Sequence, residues 1–244
     1  MSSDPSDPLR PVHSETHSHP DVAGGWLRPA VFGAMDGLVS NFALIIGVAG
    51  GSSAGDRTPV VLAGLVGLAA GAFSMAAGEY TSVASQSELA RAEVDVERRE
   101  IAQNAPGEEA ELAERFVTRG VDPVIAAEVA RQIHDDPEIA VRVHAREELG
   151  IDTDDLPSPV LAAGSSFLAF AIGALLPLLP FLLGVDALWP SIAVSLLALF
   201  ACGAVVTRVT ARPWWFGGLR QLAIGVAAAG VTYLLGTAFG ASGA

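Results

Sequence analysis

Asp36 stands inside an apolar run, Pro29 to Gly51, long enough to cross a bilayer core of about 30 Å. A carboxylate at membrane depth costs roughly 2.5–3.5 kcal/mol on insertion scales. It signals either an ion or proton route, or a polar contact that only holds a helix bundle together. A second apolar run carries Met75 and Glu79, and Gly71, Met75 and Glu79 recur at i, i+4, i+8 on one helical face. A carboxylate and a thioether together inside a membrane favour a borderline transition metal over Mg²⁺ or Ca²⁺. Taken alone, Met75 reads as an ordinary lipid-facing or packing residue. Further along, Glu97 and Glu100 (with Glu93 one turn earlier) and then Glu108 and Glu111 are spaced i, i+3. That spacing puts two carboxylates on one helix face, where divalent cations can bridge them. Glu147 and Glu148, near His144, form a third cluster. Such pairs also decorate any solvated helix surface. His13, His17 and His19 could collect a metal ion loosely, or merely solubilise a polar tail.

The elements that must position these residues are helices. The chain is 51% hydrophobic and 17% charged, a balance that points to a membrane protein. Residues 1–25 are rich in Pro and Ser and are expected to be disordered, with no apolar stretch that would serve as a cleavable signal. Spans are expected at about 29–51, 59–84, 159–184, 188–207 and 217–239, so the fold class is an all-α polytopic membrane protein with five transmembrane helices. The first two spans occupy 26–85 and the last three 158–244. Between them, 86–157 reads as a soluble helical insert. Its first helix continues the second span to Asn104 and is broken by Ala105-Pro106-Gly107; a second runs from Glu108 to Arg119 and stops at Gly120. Asp122-Pro123 and Asp136-Pro137 carry the cap-and-first-turn signature of two more helices, the last ended by Gly150. Pro177 and Pro180 predict a kink or a broken helix in the third span. Gly33 and Gly37 form a GxxxG pair and predict close approach of another helix. Glycines 64, 67, 71 and 78 predict a second small-residue face, and Trp26, Trp189, Trp214 and Trp215 mark membrane interfaces.

Charge sets an orientation. All 14 basic residues are arginine, which suggests a GC-rich genome and a bacterium. Thirteen of them fall in the N-terminal segment, the insert and the loop between spans four and five; only Arg57 lies on the other side. The insert and N-terminus are therefore expected in the cytoplasm and the C-terminus outside a cell (inner) membrane. The insert holds 19 acidic residues against eight arginines, most of the chain's net charge of −13. With that orientation Asp36 lies roughly 10 Å from the cytoplasmic edge and Met75 roughly 24 Å from the outer edge, so both sit at one level, with Glu79 about 6 Å nearer the cytoplasm. The single Cys202 excludes an intramolecular disulfide.

Asp36-Gly37-Leu38-Val39-Ser40, Ser74-Met75-Ala76-Ala77-Gly78-Glu79-Tyr80, Leu176-Pro177-Leu178-Leu179-Pro180 and Arg146-Glu147-Glu148-Leu149-Gly150 resemble the vacuolar iron transporter family over about 28–240. The resemblance implies a homodimer that moves Fe²⁺, and often Mn²⁺, out of the cytosol in exchange for protons; Gly33 and Gly37 of span one are then expected near its two-fold axis. It implies intramembrane metal positions at Asp36 and Met75, and a soluble metal-binding domain with Glu97, Glu100, Glu108, Glu111 and Glu148. Where plant members carry a Met pair, this chain has His144 and Ala145; where they carry a Glu in span two it has Gly67, and Glu79 stands where they have a small residue. His is a competent ligand for Fe²⁺ or Zn²⁺ and Ala is not.

The resulting expectation is a transporter of Fe²⁺ and Mn²⁺ rather than an enzyme, with the metals and protons as cargo, the bilayer and a second copy as partners, and neither a prosthetic group nor a nucleic-acid partner. Two other readings stay open: a membrane metal sensor that binds without transporting, and a membrane-anchored ferritin-like di-iron oxidase. The latter uses Glu-x-x-His, which 86–157 lacks.

Overall fold

The computed structural model describes residues 25–53, 56–210 and 212–241, and these form seven α-helices and no strand. In chain order they are α1 (Leu27–Gly51), α2 (Thr58–Thr118), α3 (Pro123–His134), α4 (Pro137–Glu148), α5 (Pro159–Leu182), α6 (Trp189–Thr210) and α7 (Trp214–Ala241). Five of them, α1, α2, α5, α6 and α7, are long and apolar enough to span a membrane. The protein is a polytopic α-helical membrane protein. The tail histidines His13, His17 and His19 lie outside the described residues.

α1 is the central post of the bundle and packs against α2, α5, α6 and α7. Its apolar core is formed by Leu38, Phe42 and Ile46 with Leu199 and Ala229, and on another side by Ile45 with Val60, Leu178 and Phe181. The glycines of α1 are spent within this one chain, which corrects their expected place on a dimer axis. A Cβ on Gly33 would come within 2.6 Å of the Ser166 carbonyl oxygen; one on Gly37 would collide with the Phe170 backbone, and one on Gly173 with Ala34. These helices touch backbone to backbone because nothing projects between them. Gly47 and Gly51 serve α7 in the same way, against Thr232 and Gly236, and Thr232 Oγ1 donates to the Ala43 carbonyl at 2.6 Å. On α2, Gly64 and Gly71 make room for Leu178 and the Phe170 ring, whereas Gly78 faces open space.

α5 runs through Pro177 and Pro180 as one helix, not as a broken pair. Each proline removes a backbone donor and opens the turn before it. Side chains of neighbouring helices take the carbonyl three residues earlier: Asn41 Nδ2 donates to Ala174 O at 2.6 Å, and Ser191 Oγ to Pro177 O at 2.6 Å. In a membrane such partners are what make proline tolerable inside a span.

α2 continues without interruption from the bundle into the insert. Residues 58–103 alone make a rod of about 70 Å, more than twice the hydrocarbon thickness. The expected break after Asn104 is a kink rather than a loop: Asn104 alone leaves helical geometry, at φ −145° and ψ 52°. Its side chain folds over Gly107, and Pro106 falls in the first turn of the next segment, where a missing N–H costs nothing. α2 stops at a left-handed Gly120 (φ 94°), with Val121 N–H returning to Phe116 O at 3.1 Å. Asp122 and Asp136 cap α3 and α4 as their spacing predicts, each carboxylate accepting from the backbone N–H two residues on at 2.9 Å. Ile101, Ala140 and Val141 with Val94 and Ile133 form the small core that holds α4 against α2.

Candidate metal centres

The insert brings Glu97, Glu108, His144 and Glu148 to one point. Glu97 and Glu108 come from the two segments of α2, on either side of the Asn104 kink; His144 and Glu148 lie one turn apart on α4. The kink folds the distal segment back so that both carboxylates reach the same ring. His144 is 0% exposed, and Glu97 only 5%. His144 Nδ1 lies 2.9 Å from Glu148 Oε1, 2.9 Å from Glu97 Oε1 and 4.0 Å from Glu108 Oε2. One ring nitrogen has one proton or one lone pair to offer. The hydrogen bond goes to Glu148, which leaves the Glu97 oxygen beside the ring without a donor. An octahedral ion at about 2.1 Å from its ligands spaces neighbours by about 3.0 Å and opposite ligands by about 4.2 Å. The distances around Nδ1 are of that kind.

Electrostatics argue the same way. Burial, and then the carboxylates of Glu148, Glu108, Glu100 and Glu111, push Glu97 from 4.5 up to about 7. Burial and the same acidic neighbours raise Glu108, while burial lowers His144 against the pull of Glu148. His144 is therefore a neutral imidazole at neutral pH, the form that ligates, and the crowded carboxylates hold a proton that a cation would displace. Arg115 grips the far oxygen of Glu148 at 3.0 Å and so leaves Oε1 turned to the ring. One imidazole with three carboxylates suits Fe²⁺, Mn²⁺ or Zn²⁺ better than Mg²⁺ or Ca²⁺.

The remaining insert candidates sit around this cluster. Glu100 and Glu111 are exposed at its rim, and Arg115 pairs with Glu111 at 3.0 Å. Glu147 turns away from its neighbour Glu148 and pairs with Arg119. Sequence reasoning passed over His134, the last residue of α3, whose ring packs edge-on against His144 with centroids 5.2 Å apart. His134 Nδ1 is 2.9 Å from the Ala130 carbonyl, which fixes the ring as a wall of the cluster. Only the helix-end position of that histidine was visible in sequence.

Within the bundle, Asp36 and Met75 line one cavity of about 200 Å³, together with Ser40, Asn41, Leu44, Gly67, Gly71, Ser74 and Phe170. Ser40 Oγ donates to Asp36 Oδ1 at 2.8 Å and fixes the carboxylate from one turn along α1. Gly67 and Gly71 on α2 leave the space, and the ring of Phe170 closes it from α5. Glu79, one turn past Met75, is half-buried and lies outside the lining. At the far end of the bundle a wider cavity of about 500 Å³ holds Asp56, Arg57 and Asp186, where Arg57 and Asp186 pair at 3.5 Å.

Five long apolar helices with an ionisable group among them, and a carboxylate–imidazole cluster on a helical insert, define a polytopic membrane protein with candidate metal sites in the bundle and on the insert. The family model described as the VIT family matches residues 27–237, and the chain belongs to that family. It is 38% identical over 168 residues to a vacuolar iron transporter of Acanthamoeba castellanii, covering 69% of this chain and 60% of that protein. It is 30% identical to vacuolar iron transporter 1 of Oryza sativa subsp. japonica, covering 89% and 88%, and 29% identical to vacuolar iron transporter 1 of Arabidopsis thaliana, covering 78% and 76%.

Proposed function

We propose that this protein carries Fe²⁺, and Mn²⁺ by the same route, out of the cytosol across the cell membrane in exchange for protons, working as a homodimer. Iron transport is the activity that its relatives' names carry, and the family is one of transporters rather than enzymes. The observation that supports the route is the meeting of Asp36 and Met75, from two different spans, in one intramembrane cavity. The insert cluster gathers metal at the membrane surface, and its acidic balance concentrates cations there. Glu79 passes the ion inward along α2. At Asp36 the ion competes with a proton for one carboxylate, since a carboxylate must lose its proton to ligate. That competition is the minimum needed for exchange. Met75 adds a soft ligand that Mg²⁺ would not use. The arginine distribution supports a cytoplasmic insert.

Proteoliposomes loaded with a metal-sensitive dye and an internal pH dye test this reading. Fe²⁺ and Mn²⁺ should enter with opposite proton movement, and Mg²⁺ should not. Binding without flux would favour a sensor, and flux without a pH response would sink the exchange.

A further inference from the structure

Asn41 is a buried polar residue in the middle of α1 that the route above does not use. It is 2% exposed, and one half of its amide is committed: Nδ2 donates to the Ala174 carbonyl of α5 at 2.6 Å. A carbonyl can only accept, so the NH₂ group must face it and Oδ1 must face the other way. Oδ1 is buried and has no hydrogen-bond donor. The nearest hydroxyl on its own helix, Ser40 Oγ, already donates to Asp36. An amide oxygen without a partner away from water is costly.

The free oxygen points across the interface at Gly67 of α2. A Cβ there would stand 2.4 Å from Leu44 Cδ2 and 3.0 Å from Oδ1, so only a glycine fits beside this oxygen, and Asn41 lines the same cavity as Asp36, Ser74 and Met75. Asn41 lies five residues along α1 from Asp36, about 7.5 Å farther from the end that joins the insert.

We propose that Asn41 Oδ1 is a second ligand station for a divalent cation, immediately beyond the Asp36–Met75 site. The inference rests on the transport reading above. Hard and borderline cations accept amide oxygens as ligands. A neutral oxygen holds an ion less tightly than a carboxylate and needs no proton exchange, which suits a station from which the ion must leave. Gly67 is then part of the station, because any side chain there would cover the oxygen.

The test uses the full chain in proteoliposomes, with Fe²⁺ and Mn²⁺ as probes and with Asn41→Leu, Asn41→Asp and Gly67→Ala. Asn41→Leu keeps the volume and removes the oxygen; its maximal flux should fall at least tenfold. Asn41→Asp loses the donor to Ala174 but keeps an oxygen at the station; it should retain flux within a fewfold, with a lower half-saturating concentration. Gly67→Ala keeps the anchor, pushes the flexible end of Leu44 aside and sets a methyl 3.0 Å from the oxygen, and should lose flux severalfold. Wild-type kinetics in Asn41→Leu would overturn the proposal. So would an inactive Asn41→Asp beside a fully active Gly67→Ala, the pattern of a purely structural anchor. Absence of flux in the unsubstituted protein would sink the transport reading instead. A second measurement then still decides: Mn²⁺ binding in detergent by protein carrying Glu97→Ala, Glu108→Ala and His144→Ala. Adding Asn41→Leu should remove the weaker of the remaining intramembrane sites and leave the tighter one at Asp36, and an unchanged isotherm would overturn the station.

Discussion

His144 and Glu97 show how the insert can be tuned by protons. Glu97, pushed up to about 7, holds its proton in the acid half of the neutral range, and metal must displace it. Mn²⁺ affinity of the purified protein should therefore rise between about pH 6 and 8 and level off above. Burial holds His144 below the usual histidine range, which favours its neutral, ligating form. The linkage to folding has a definite sign. Between 4.5 and about 7 the native state holds a proton that the unfolded chain has released, so the metal-free insert loses stability as pH rises through that interval. Glu97→Gln, a mimic of the protonated acid, should flatten both profiles in equilibrium binding and hydrogen exchange. Glu97→Ala with Glu100→Ala should weaken binding by at least about tenfold; an unchanged isotherm would return the pair to a solvated helix face. In the bundle, Asp36→Asn should abolish flux while leaving the insert's binding intact, because an amide neither titrates nor neutralises the ion. Met75→Leu should slow Fe²⁺ more than Mn²⁺, since Mn²⁺ depends less on sulfur. Equal losses for both metals would remove the sulfur from the pathway.

At the scale of elements, α1 and α5 behave as one unit clasped by glycines. Gly33→Ala would drive a methyl into the Ser166 carbonyl at 2.6 Å, a contact with rigid backbone, and should cost about 1–3 kcal/mol. Gly78→Ala meets nothing within 4 Å, and should gain roughly 0.5–1 kcal/mol from helix propensity alone. Thermal unfolding in detergent separates the two, and a neutral Gly33→Ala would refute the clasp. α2 is the other decisive element. It is a lipid-facing span at one end, with Leu62, Leu65, Val66 and Phe73 exposed, and carries Glu97 and Glu108 of the carboxylate–imidazole cluster at the other. Ser87 Oγ donates to Pro157 O at 3.1 Å, so the chain enters and leaves the insert side by side.

For the whole molecule, the occupied glycine face of α1 changes where a second copy would dock. What α1 leaves open is the strip of Phe32, Ser40 and Leu44, beside the Asp36 cavity. A homodimer built on α1 would use that strip. Single cysteines introduced at Phe32 or Leu44, in a Cys202→Ala background, should cross-link in membranes. A mass of one chain in detergent, with no cross-link from either position, would place this protein among monomers.

Local terms were legible in the residues themselves. Apolar runs of the right length foretold five spans, because a bilayer sets a length that side chains must satisfy one by one. Asp122, Asp136 and Gly120 foretold helix ends, because caps act within a single turn. Asp36 and Met75 stood out because a polar or soft atom in an apolar run is legible without a partner. Other features needed the packed molecule. Glu97 and Glu100 share a helix face by spacing, yet one is buried beside His144 and the other exposed, and only the position of α4 makes that difference. Glu147 and Glu148 are neighbours in sequence, yet they serve Arg119 and His144 respectively. The partner of Gly33 and Gly37 proved to be α5, because a small-residue stripe states that something approaches and not what. Asn41 was one polar residue among many until the Ala174 carbonyl claimed its nitrogen and left its oxygen buried without a donor beside Gly67. Non-local contacts of this kind depend on which helices meet, and that is decided by the burial of all five spans together.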